Sequence, residues 1–197
     1  MVVGIHADKD RKREYGIAGI PDFEGRGDRA SLYTSFLLRE LLPFLDTKIN
    51  SSSLRQKVIA GFSLGGLSAL DIAWSNPGVF DRVAVFSGSL WWRSVSQEDN
   101  QYDDDLHRII HQRIRHGIFI PGLKFFFQCG NMDETMDRNN NGIIDSIDDT
   151  QDLIKELVKK GYETGKDIAY LEMPEGKHDL STWAIALRTY LTHHFYS

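Results

Sequence analysis

Three stretches of the chain carry residue types that together could run acyl transfer. Gly61, Ser63 and Gly65 in "AGFSLGG" fit the pattern G-x-S-x-G. In that pattern a sharp strand-to-helix turn lifts a serine hydroxyl above a sheet, and small neighbours give it room. Asp133 follows "FFFQCGNM", with Glu134 beside it as a rival for the same role, and His178 follows "YLEMPEGK". Ser63, Asp133 and His178 stand in the order nucleophile, acid, base, each just past a separate apolar run. The chemistry needs these types. A serine hydroxyl attacks poorly until an imidazole takes its proton, and a carboxylate must fix that imidazole's tautomer and stabilise its charged form. The backbone N–H of Leu64, at the start of the following helix, would donate to the oxyanion with the helix dipole behind it. The expected reaction is hydrolysis of a carboxylic ester through an acyl-enzyme on Ser63, with no cofactor. Transfer of the acyl group to a sugar or alcohol is the related reading. A non-catalytic hydrolase-like module that only holds a ligand is the rival from another class.

A second constellation binds rather than reacts. "DRNNNGIIDSID", residues 137–148, fits the calcium-loop template D-x-[DN]-x-[DN]-G, with Asp137, Asn139 and Asn141 as ligands and Gly142 at the sharp turn. Ile143 would offer its carbonyl, Asp145 would act through water, and Asp148 stands where an EF-hand has glutamate. Two neutral amides and a short last carboxylate predict weak affinity, about 10⁻⁴ to 10⁻³ M. Such an ion would be structural and would pin the loop that begins at Asp133. His107 and His111 have helical i, i+4 spacing but lack a third ligand, so they read as a solvated helix face. Cys129, the only cysteine, reads as a small buried hydrophobe.

These residues need elements to hold them. Val2 to Ile5 reads as a strand, and the polar run after it as a long loop in which "RGD" at 26 to 28 is ordinary loop sequence. Ser31 to Leu42 reads as a helix with Ser31 as N-cap, Phe36, Leu37 and Leu41 inward, and Pro43 ending it. "KVIAG", "RVAVF", "KFFFQCG" and "IAYLEMPEG" read as strands, and helices follow from Leu64, before Gly117, over "DLIKELVKKG" and over "STWAIALRTYL". Strands alternating with helices predict an α/β fold with a mostly parallel sheet covered on both faces. The chain has 197 residues, enough for one domain and short for two.

Composition narrows the partners. At 41% hydrophobic and 26% charged residues the chain reads as an ordinary globular domain. A formal net charge of -5 argues against nucleic acid or an anionic membrane as partner. The N-terminus lacks the basic-then-apolar layout of a secretory signal, and a single cysteine leaves the compartment open. The expected partner is a small-molecule or carbohydrate-linked ester.

The pieces "VVGIH", "RKREYG", "FLLRELLPF", "AGFSLGGLSALDIAWSNPGVF", "SGSLWW", "CGNMD" and "GKHDLSTW" run in order through nearly the whole chain. In them the chain resembles the esterase family of α/β-hydrolases, which includes enterochelin esterases, S-formylglutathione hydrolases, feruloyl and acetyl-xylan esterase domains and the mycolyltransferases. The resemblance implies Ser63 as nucleophile, His178 as base and Asp133 as acid. It also implies an aromatic pair near the cleft at Trp91 and Trp92, although adjacent residues of an extended strand face opposite ways, which leaves one of the two free to be core. The family carries one to three further strands before the first strand read here, and the loop after the last of them supplies the second oxyanion N–H. The resemblance therefore implies an N-terminally incomplete hydrolase, the C-terminal portion of a longer chain, or a sheet in which the two flanking strands meet directly.

Overall fold

The computed structural model describes residues 1–49 and 56–194. Four strands, β1 (Val58–Phe62), β2 (Arg82–Phe86), β3 (Lys124–Met132) and β4 (Ile168–Lys177), pair in the order β1-β2-β3-β4, and every pairing is parallel. A parallel sheet laid down in sequence order with right-handed crossovers puts its connecting helices on one face. That is where α4 (Leu64–Ser75), α6 (Ile109–His116) and α7 (Asp145–Lys160) lie, burying Leu67, Leu70, Ile110, Ile114, Leu153 and Leu157 against Val83, Val85, Phe125 and Phe127. The opposite face is covered by α8 (Leu180–Thr189) and the π-helical turn after it, through Ala186 and Tyr190 against Ala84, Phe86 and Phe126. All five residues of β2 are buried, as a strand covered on both faces requires. Short helices α1 (Arg11–Glu14), α2 (Ala30–Phe36), α3 (Leu42–Lys48) and α5 (Asp104–His107) complete the set of α-helices among the described residues.

Several expectations are corrected. Val2 to Ile5 form no strand. Val2 is 83% exposed, and no ladder partner holds this segment, so β1 is the outer strand of the sheet among the described residues. Pro43 does not end the helix that precedes it. A π-helical turn over Leu37–Leu41 widens the backbone, and Pro43 then sits at the start of α3, where its missing N–H costs nothing. Ser31 lies inside α2, whose N-cap is Arg29, and Phe36 is exposed while Leu37 is buried.

His111 is no solvated face. It is buried to 1% exposure, and its Nε2–H donates to the Asp149 carbonyl at 2.8 Å, while Nδ1 is buried with no partner. Around it Arg108 pairs with Asp149 at 2.8 Å and Asp152 at 2.9 Å, and Arg138 pairs with Asp149 at 2.7 Å and Asp104 at 2.8 Å. Burial first, and then the Arg108 charge, push the imidazole pKa down to about 3. The folded value therefore lies below the unfolded one near 6.5, so between these pH values the unfolded chain binds one more proton. We expect unfolding free energy to fall as pH drops through this window. In His111→Gln the pH slope between 6 and 4, followed by urea denaturation, should be shallower by about one proton. An unchanged slope would mean that His111 is charged in the fold.

Candidate active site

β1 runs into α4 through a single residue, Ser63, with φ 56° and ψ -125°. A side chain at positive φ is strained, and here the strain is held by four backbone bonds. Ser63 N–H donates to Phe86 O at 2.9 Å, and its carbonyl accepts from Gly66 N at 2.9 Å, Ser89 N at 3.2 Å and Leu67 N at 3.3 Å. The turn is so tight that a Cβ on Gly61 would run into the carbonyl of Gly65. A Cβ on Gly66 would lie 3.0 Å from Gly61 O and 3.0 Å from Val85 Cγ1, whereas one on Gly65 would meet only the Tyr15 ring edge at 3.6 Å. Gly61 is thus required sterically, and its crowded counterpart is Gly66 rather than Gly65. Leu64 opens α4, so its N–H belongs to the first-turn donors that a helix leaves without an internal acceptor.

Asp133 and His178 stand just past β3 and β4, and a close backbone approach brings their turns together. The β3–β4 register slips between Gly130 and Met132. There a Cβ on Gly130 would strike the Gly176 carbonyl, and one on Gly176 would lie 2.9 Å from Gly130 Cα. Asp133 folds back so that its Oδ2 accepts from Gly130 N at 2.9 Å. On the facing strand Glu175, at φ 59°, donates its N–H to Asn131 Oδ1 at 2.8 Å. Past His178, Asp179 caps α8 by accepting from Thr182 N at 2.8 Å. The His178 ring meets Trp183 edge-on at 5.0 Å, and Trp183 Nε1–H donates to Ser87 Oγ at 2.9 Å.

Burial raises the Asp133 pKa, opposed by the Gly130 N–H, the neighbouring Ser87 hydroxyl and His178. Burial lowers the His178 pKa, opposed by Asp133, and the Arg11 charge lowers it further. One oxygen of Asp133, Oδ1, is buried and makes no close hydrogen bond among the described residues. Glu134 faces elsewhere, toward Ser146, Asp145 and Asp149 of α7. The carboxylates whose charges bear on His178 are Asp133 first and then Asp179, and Glu134 is not among them.

Other expected residues divide. Trp92 is fully buried, donates Nε1–H to Ile20 O at 3.3 Å and packs where a Cβ on Gly16 or Gly27 would come within 2.7 or 2.8 Å of its ring. It is a core side chain, which corrects its assignment to the cleft. Trp91 is half-buried, with the Arg26 guanidinium 4.9 Å and the Arg93 guanidinium 5.8 Å from its ring centre. In the 137–148 loop, Asp137 accepts from Asn141 N at 3.1 Å and Gly142 N at 2.9 Å, while the amides of Asn139 and Asn141 donate to Asp148 Oδ2 at 3.0 and 2.8 Å. Asp145 is committed to Arg138, 3.1 Å away. No three His, Cys, Asp or Glu side chains converge as a metal site among the described residues. Cys129 is buried and its thiol pKa is pushed up to about 12, which suits a core residue and not a nucleophile. Sequence reasoning gave no role to Ser87, Asn131, Gly176 and Trp183. Asn131 stands with Asp133 among the polar residues at the end of β3, and Ser87, directly past β2, carries the same signal.

The family model described as "Putative esterase" matches residues 1–194. Over 66 residues the chain is 30% identical to the siderophore triacetylfusarinine C esterase of Aspergillus fumigatus, a match covering 34% of this chain and 23% of that protein. Among solved structures, the siderophore hydrolase of Aspergillus nidulans superposes with a TM-score of 0.59 at 16% identity, covering 91% of this chain and 64% of that one. The enterobactin esterase of Shigella flexneri, solved with enterobactin, gives 0.56 at 24% identity, covering 79% and 34%. A ferulic acid esterase gives 0.56 at 20% identity, covering 79% and 58%. The chain thus spans about a third of the enterobactin esterase and about a quarter of the curated relative.

The steric pattern at the turn separates three glycines. Gly61→Ala and Gly66→Ala should each lower stability by about 1–3 kcal/mol or more, while Gly65→Ala should be nearly neutral. Chemical denaturation of the three variants checks this, and equal losses at Gly61 and Gly65 would contradict the geometry of the turn.

Proposed function

The chain belongs to the esterase family, and on that premise we propose that it is a serine carboxylic-ester hydrolase. The observation that carries the reading is the strained Ser63 at the strand-to-helix turn, with an electrostatically coupled Asp133 and His178 at the ends of β3 and β4 in the same parallel sheet. Strained backbone of this kind concentrates at working sites, and ligands gather at the carboxyl ends of parallel strands.

In this mechanism His178 takes the Ser63 hydroxyl proton as Oγ bonds to the ester carbonyl carbon. The carbonyl oxygen becomes an oxyanion that accepts from the Leu64 N–H, and the C–O bond to the alcohol breaks as His178 returns the proton to the leaving group. Water then repeats the sequence on the acyl-enzyme, releasing the acid and restoring Ser63. Asp133 holds the imidazole through its buried Oδ1 and offsets the imidazolium charge. Trp91 offers the substrate an aromatic wall. The substrate is a small-molecule ester, and the triacetylfusarinine C and enterobactin named for the Aspergillus and Shigella relatives head the panel to be tried.

We also propose that loop 137–148 takes a structural calcium ion. Support comes from the fit of Asp137, Asn139, Asn141 and Asp148 to the template and from the closed loop they form, with Asp137 accepting from the Asn141 and Gly142 N–H groups and the Asn139 and Asn141 amides meeting on Asp148. Asp145 is held by Arg138 and contributes less than the template implies. Millimolar calcium should raise the melting temperature, and Asp137→Ala should abolish the rise; an unchanged melting curve leaves the loop a hydrogen-bonded turn.

For the chemistry, a fluorophosphonate probe should label the protein and Ser63→Ala should abolish the label. A folded protein that fails to react would favour the ligand-holding module. The base must be neutral to accept a proton, and its pKa is lowered by burial, so kcat/KM should fall on the acid side with a midpoint below 6.5. A midpoint above that value would place the base elsewhere.

A further inference from the structure

Arg11 stands near the site with no opposite charge within ion-pair distance among the described residues. Its neighbours are matched: Arg13 pairs with Asp28 at 2.5 Å and Arg29 with Asp10 at 3.5 Å. On the other rim Arg26 pairs with Asp22 at 2.5 Å and Glu24 at 2.9 Å. Among the described residues no carboxylate lies within ion-pair distance of Arg11, which is half-buried and rests over the Tyr15 ring at 5.5 Å.

Its position follows from how this segment is fastened. Gly16 N–H donates to Ser68 Oγ at 2.8 Å, and Ser68 Oγ–H donates back to Gly16 O at 3.3 Å, which fixes residue 16 to α4 just past its first turn. Tyr15 is thereby laid along that turn, its ring edge 3.6 Å from where a Cβ on Gly65 would stand, two residues after Ser63. Arg11, one turn back along α1, stacks on that Tyr15 ring and so stands on the same side of α4 as the turn at Ser63, where its charge also bears on His178. Placing a partly desolvated cation beside a base that must become cationic works against the reaction. The cost is removed when an anion occupies the guanidinium.

We propose that Arg11 is the specificity residue of the site and receives a carboxylate carried by the ester substrate. The inference rests on the esterase reading for its reaction, but not for its binding. A guanidinium on an aromatic face keeps its forked N–H edge free for a planar anion, and a carboxylate matches that fork with two parallel hydrogen bonds. A neutral ester of the same shape would leave the cation unmatched.

The test compares esters that differ by one charge and little in size. With the charge on the leaving group, 4-acetoxybenzoate is set against 4-acetoxybenzamide. With the charge on the acyl group, monophenyl terephthalate is set against its primary amide. In the unaltered protein kcat/KM should favour the anion in one of the two pairs by about 10-fold or more, and the pair that responds tells which side of the ester carries the charge. Arg11→Gln should bring that ratio to about one, and Arg11→Lys should keep part of it. Because the ratio is taken within each variant, a general loss of activity cancels. The same four compounds are titrated into Ser63→Ala and into Ser63→Ala with Arg11→Gln, following tryptophan fluorescence. Turnover with a ratio unaffected by Arg11→Gln overturns the subsite and leaves the esterase. Arg11-dependent binding of an acid without turnover in the unaltered protein overturns the esterase and leaves the subsite. Neither turnover nor Arg11-dependent binding overturns both.

Discussion

The architecture depends on closing the strand-to-helix turn at Ser63 without a side chain at Gly61. With β1 and α4 meeting through one residue at φ 56°, the first turn of the helix passes directly over the end of the strand. A left-handed residue of this kind costs about 1–3 kcal/mol, and the bonds to Phe86, Ser89, Gly66 and Leu67 hold it. Two of those four partners lie on or just past β2, so the turn is braced by the neighbouring strand as well as by its own helix. Parallel pairing then aligns the ends of β3 and β4 with the same edge, which is why the other two polar turns arrive there.

The second close approach, Gly130 against Gly176, repeats the logic one pair of strands away. Without side chains at the crossing, the chain past β3 can fold Asp133 back onto Gly130 N while the chain past β4 carries His178 alongside. Burial penalises the charged form of each, raising the pKa of the Asp133 carboxyl and lowering that of the His178 imidazole, and their mutual attraction opposes both shifts. The Asp133 turn is also anchored from behind, because Arg138, five residues on, is clamped among Asp104, Asp145 and Asp149. An ion pair network this buried gives geometry rather than net stability.

Much of this was legible in the residues. The four sheet strands, α7 and the turn at Ser63 announce themselves because β-branched and aromatic runs alternate with helical periodicity, and because glycine marks backbone that cannot carry a side chain. The failures have physical causes. Val2 to Ile5 has strand composition, yet a strand exists only where a neighbour takes its hydrogen bonds, and no neighbour is present among the described residues. Pro43 looked like a stop because the rule assumes an α-helix, and the π-helical turn before it changes the register that the proline must fit. His111 looked exposed because i, i+4 spacing with His107 says nothing of which face meets the core. Ser87, Asn131 and Trp183 act through contacts made across strands, which spacing within one segment does not reveal.

The loop between α1 and α2 reads as polar filler and behaves as structure. Ile17 is fully buried, Gly16 is bonded to Ser68, Ala18 N–H donates to Asp71 at 2.9 Å, and Arg113 bridges Asp71 and the Ala18 carbonyl. Trp92 fills the space against Gly16 and Gly27, so the loop is bolted to α4, to α6 and to the segment past β2 at once. Side chains carried on such a loop lose little freedom when a ligand arrives, because their backbone is already fixed. Tyr15 on that loop is therefore held beside the turn at Ser63 before any substrate binds, with Arg11 of α1 stacked on its ring, and on the proposed reading selectivity there is set by the Arg11 charge rather than by a loop that closes.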